Sequence, residues 1–162
     1  MRIERGDYYT PQRGSLGRKD QRQFYPLSVS NKYDANLNAI ASICREHELL
    51  CVFVTQPSGY HSRAASEFRA SFWMTPPNES YTVTFESLEH VAGLYNRFLK
   101  TWAASHGFPV VDLAARIEPG FASFYDDMHF NESGAAAASD ALAEELRPLV
   151  PIEAAPARRR RQ

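Results

Sequence analysis

The chain is short of cysteine, of net charge and of long apolar runs, and each shortage removes a class of protein. Cys44 and Cys51 are the only cysteines. One falls in an expected helix and the other in an expected strand, both among apolar neighbours, which points to two buried free thiols rather than a disulfide or a metal pair. A net charge of −1 gives no global field to gather nucleic acid or an anionic membrane. No apolar run approaches the roughly eighteen residues that a membrane span needs. The first residues, "MRIERGDYYTPQ", hold no apolar signal core, so a cytoplasmic location is the default expectation. No HxxxH or comparable ligand spacing occurs, and neither a metal nor another cofactor is expected.

What is present is the material of an ordinary globular domain. The 162 residues are 44% apolar and 23% charged, enough for one domain that buries roughly two thirds of its unfolded surface. Residues 1–31 show no sustained period and are expected to be irregular. The end, "PIEAAPARRRRQ" (151–162), places Arg158 to Arg161 behind a Pro/Ala-rich stretch. This reads as a disordered basic tail, with phosphate contact as the lesser reading.

Between these ends the pattern alternates. Tyr33, Leu37, Ile40, Ala41 and Cys44 recur at helical spacing, with Ser30 or Asn31 available as the cap. "LLCVFVT" (49–55) is a continuous apolar run that suits a strand buried on both faces. About 28 residues of little periodicity follow, a length that in compact domains is functional or mobile. Leu88, Val91, Ala92, Tyr95, Phe98, Leu99 and Trp102 then mark one face of a helix over about 84–105, closed by Gly107 in a left-handed cap. "FPVVDL" (108–113) is a second short strand, and a last helix runs from about Ser133 to Arg147. Helix and strand in alternation imply an α/β architecture with parallel strands. Chemistry in such sheets gathers beyond the carboxyl ends of the strands, which groups Thr55-Gln56-Pro57, Asp112 and the Asp126–His129 loop on one rim.

The segment "FYDDMHFNESG" (124–134) carries the chemical interest. An Asp three residues before a His can curl so that its carboxylate meets the imidazole Nδ1–H. That contact fixes the tautomer and leaves Nε2 free as a base. Asp126 and His129 are therefore the candidate catalytic pair. Asp-x-x-His is also common by chance. His129 also reads as a hydrogen-bonded surface residue, Asp126 or Asp127 as turn formers, and Asn131 or Ser133 as a helix cap. Gln56, Tyr60 and Trp73 are candidate substrate contacts, although packing of the loop aromatics onto their own domain is an equal reading. Ser58, in "TQPSGY", is explained by turn chemistry, and Ser66 and Ser71 are no better as nucleophiles.

"YDDMHFNESG" resembles the last block of the SGNH (GDSL-type) hydrolases, and residues 33–57 and 94–117 resemble the same family's C-terminal half. The resemblance covers about 33–147. It implies a partial flavodoxin-like three-layer parallel sheet without its N-terminal strands, in which Asp126 orients His129 and His129 is the general base. The substrate it implies is a small ester or an acetylated carbohydrate. The family's Gly-Asp-Ser and Gly-x-Asn-Asp motifs are absent: "RGDY" (5–8) and "RGSLG" (13–17) have no strand before them. Without the family's nucleophilic serine and its oxyanion donors the covalent step is missing. The expectation is the C-terminal portion of a serine-dependent ester hydrolase, inactive alone. In it, 1–31 would form substrate-side loops, 32–150 the hydrolase part, and an exposed sheet edge would invite self-association. The alternative is a non-catalytic binding or assembly module of the same fold.

Overall fold

A computed structural model of the chain describes Gly14 and residues 19–73 and 81–150. Its elements run β1 (Asp20–Arg22), α1 (Asn31–Glu46), β2 (Phe53–Val54), α2 (Ser66–Ala70), β3 (Tyr81–Val83), α3 (Phe85–Ser105), β4 (Val110–Val111), α4 (Leu113–Arg116) and α5 (Glu132–Leu146). The strands form two parallel pairs, β1 with β3 and β2 with β4. This is a mixed α/β structure, with no closed barrel among the described residues. The basic tail at 151–162 lies outside them.

Each long helix begins where its cap supplies an acceptor for an orphan amide. Ser30 Oγ accepts from Tyr33 N at the start of α1 and Thr84 Oγ1 from Ser87 N at the start of α3. Gly107 ends α3 at φ 75°, the expected left-handed cap. Alternation along β2 and β4 separates two cores. Phe53 and Val110 pack with Leu37 and Ala41 of α1 and Leu99, Trp102 and Ala103 of α3. Val52 and Val111 face the other way, onto Phe68, Phe72, Phe124 and Ala138 and Ala141 of α5. Helices therefore cover both faces of the small sheet.

Several expectations need correction. The strand expected over 49–55 is reduced to Phe53–Val54, and it is not buried on both faces: Leu49 and Leu50 are more than half exposed. Pairing extends only as far as β4 reaches, and on its other edge β2 has no strand neighbour among the described residues. The 28-residue connection holds α2 and β3, and the irregular first segment holds β1, because these short pieces pair or pack with each other rather than by periodicity.

The free thiols are also overturned, because Cys44 and Cys51 form a disulfide across a Cα separation of 6.2 Å. The chain reverses at Glu48, a non-glycine residue at φ 51°, which brings the end of α1 back over the start of β2. Sequence spacing did not show that reversal.

Candidate functional site

The segment 123–131 is a compact loop closed at its own base. Tyr125 N donates to His129 O at 2.9 Å and Asn131 N to Ser123 O at 3.0 Å. Asn131 Oδ1 then caps α5 by accepting from Gly134 N at 2.8 Å. A Cβ at Gly134 would stand 1.9 Å from Ser123 O, so only glycine lets the helix start this close to the loop. The small residues after His129 thus serve the loop's position.

Inside the loop Asp126 does two things with one carboxylate. Oδ1 accepts from Met128 N at 2.9 Å and His129 N at 2.8 Å, which turns the chain. Oδ2 lies 2.9 Å from His129 Nδ1. An ionised carboxylate only accepts, so Nδ1 carries the proton and Nε2 presents a lone pair. Asp126 is buried while the His129 side chain is 67% exposed. Nothing among the described residues hydrogen-bonds Nε2. The turn-forming and imidazole-holding roles, which are alternatives in the sequence, coexist.

Asp127, fully buried, faces the opposite way. It accepts from Tyr60 Oη at 3.1 Å and from Trp73 N at 3.0 Å, and its carbonyl accepts from Gly59 N at 2.6 Å. Burial, then the Asp127 charge and hydrogen bond, push the Tyr60 phenol far above its ordinary value. Asp127 thereby ties the 56–73 segment to the loop that holds the imidazole, a role that neighbouring identical residues do not disclose. Gly59 is required here too, since a Cβ would meet Phe68 and Phe72 at 2.8 Å.

The strand ends carry a third cluster. Thr55 Oγ1 donates to Asp112 Oδ1 at 2.9 Å and accepts from Ala114 N, while Lys100 Nζ pairs with Asp112 Oδ2. Partial burial alone would raise the Asp112 carboxyl. The hydrogen bonds from Lys100 and Thr55, the Lys100 charge and the Ala115 N–H outweigh it and hold the group below its usual range. Sequence reasoning grouped Thr55 with Asp112 but missed Lys100. It also missed Asn96, whose amide binds both the N–H and the C=O of Gln56 at 2.9 Å. The signal was available: Asn96 is a polar residue beside Ala92, Tyr95 and Leu99 in an apolar stripe.

The three candidate substrate contacts separate. Gln56 and Tyr60 line a cavity of about 650 Å³, whose wall includes Met128, next to His129. Tyr60 is at the same time buried in the aromatic core, edge-on to Phe72. Trp73 is held by its backbone on Asp127 and does not line this cavity or the smaller one beside it. Ser58 lines both cavities and makes no hydrogen bond to His129. Among the described residues no three His, Cys, Asp or Glu side chains gather as a metal site. No described helix is long and apolar enough to cross a membrane.

No family model matches the chain, and neither a curated protein nor a solved structure matches it. Its chemistry rests on the geometry above.

Proposed function

We propose that this chain is the C-terminal portion of a serine-dependent ester hydrolase of the SGNH type, contributing Asp126 and His129 as its general-base pair. The observation that carries the reading is the His129 imidazole, held through Nδ1 by a buried carboxylate with Nε2 open to solvent. A base so placed removes the proton of an attacking serine hydroxyl, returns it to the departing alkoxide, and is stabilised as imidazolium in between. Parallel strands with helices on both faces are compatible with part of a flavodoxin-like sheet, and the edge of β2 that has no strand neighbour among the described residues suits strands to be added there. The substrate is a carboxylic ester, with an acetylated carbohydrate as one candidate. The Cys44–Cys51 disulfide favours an oxidising compartment over the cytoplasmic default.

A second reading, a non-catalytic module of the same fold, is favoured by one observation: no hydroxyl among the described residues meets Nε2. Extending the polypeptide with its upstream coding sequence and assaying short p-nitrophenyl esters separates the two. The hydrolase reading expects turnover that His129→Ala lowers by about 10⁴-fold or more, with a smaller loss for Asp126→Asn. Turnover at the wild-type rate in both variants removes it, and no turnover in the extended wild-type chain favours the module.

A further inference from the structure

The 650 Å³ cavity falls inside the range of about 300–1,000 Å³ typical of small-molecule sites. Its walls are apolar along most of their length, from Phe24 and Val83 on one side to Leu88, Val91 and Tyr95 of α3 on the other. A second chamber of about 180 Å³ adjoins it and shares Gln56, Ser58, Tyr60, Ala92 and Asn96 with it. This smaller chamber is about as polar as it is apolar, and it carries His61, Glu89 and Arg97.

The charges within it are not equivalent. Glu89 Oε1 is engaged by Ser62 N–H at 2.5 Å. Arg97 lies two turns further along α3, about 12 Å away along the axis, and makes no ion pair or hydrogen bond among the described residues. Its guanidinium folds back over the helix at Gly93, with Nη1 2.8 Å from where a Cβ would stand. An unpaired guanidinium in a chamber that opens into an apolar one is a receptor for a planar oxyanion attached to an apolar body.

We propose that the two chambers form one binding site for an anionic amphiphile, with an apolar chain in the larger and a carboxylate head on Arg97 in the smaller. This goes beyond the hydrolase reading and does not depend on it, since binding needs neither a nucleophile nor His129.

Titration of the full chain with decanoate below its micellar concentration, followed by calorimetry, tests the site. Saturable one-to-one binding is expected, with butyrate at least tenfold weaker because it leaves the apolar chamber empty. Arg97→Gln, an exposed position whose change leaves the fold intact by circular dichroism, should weaken decanoate about tenfold and leave 1-decanol unchanged. Ala92→Trp, at the shared wall, should weaken both. Absence of saturation by decanoate, equal affinity for butyrate, or identical decanoate binding by Arg97→Gln would each overturn the proposal, whatever Ala92→Trp does to folding.

Discussion

The two flanks of the β2–β4 sheet are finished to different degrees. On the α5 side, Phe68, Phe72 and Phe124 are almost wholly buried. The buried Asp127 there has its donors, and glycines stand where chains touch. On the α1 side the helix packs through Leu37, Ala41 and Cys44, yet Ile40, Ile43, Leu49 and Leu50 stand about half exposed. The first flank holds the imidazole and is closely packed and hydrogen-bonded. The second leaves apolar surface exposed, and the sheet it covers has an edge at β2 with no strand neighbour among the described residues, a condition under which sheets recruit a further strand. The comparison teaches that the Asp126–His129 loop is organised by contacts made within this chain.

Substitutions at matched positions sharpen that contrast. The largest effect is expected at Gly134. Gly134→Ala drives a methyl into the Ser123 carbonyl and should cost about 4 kcal/mol, displacing the start of α5 and with it the His129 loop. Next comes a pair read by urea denaturation. Phe72→Ala opens a cavity in the closed flank and should cost about 3 kcal/mol, while Ile43→Ala on the open flank should stay within about 0.5 kcal/mol. Equal losses at the two positions would erase the distinction.

The smallest effect depends on pH and belongs to Asp112 at the strand ends. Its folded pKa lies below that of the unfolded chain, so on acidification the unfolded chain takes up the proton first. The pair's stabilisation is complete above the ordinary carboxylate range and is lost as pH falls through the lower folded pKa. The difference in Tm between wild type and Asp112→Asn should be steady near neutrality and shrink in acid. A difference that grows on acidification would reverse the sign assigned to the Lys100 and Thr55 contacts.

The helices were legible because periodicity and caps are local. Tyr33 to Cys44 gave α1, and Gly107 gave the end of α3. The stripe also included Ile40, which is 45% exposed, because a stripe records what a helix is able to bury and not what lies beside it. The strands were overestimated since ladder length depends on the partner, and β4 offers only Val110 and Val111. The disulfide was hidden by a reversal at Glu48 that neither cysteine signals. Asp126 was readable as the partner of His129 from a three-residue spacing. Asp127 was not readable as the buried tie to Tyr60 and Trp73, since which of two adjacent carboxylates faces the core is decided by contacts more than fifty residues away in sequence.

The central claim is that a buried carboxylate fixes one nitrogen of an exposed imidazole and leaves the other bare. Long-range proton–nitrogen NMR of His129 in the neutral form tests it on the chain as it stands. The account predicts a single tautomer with the proton on Nδ1 and a bare Nε2, lost to a mixture in Asp126→Asn. A proton residing on Nε2, or a spectrum indifferent to Asp126→Asn, would contradict it.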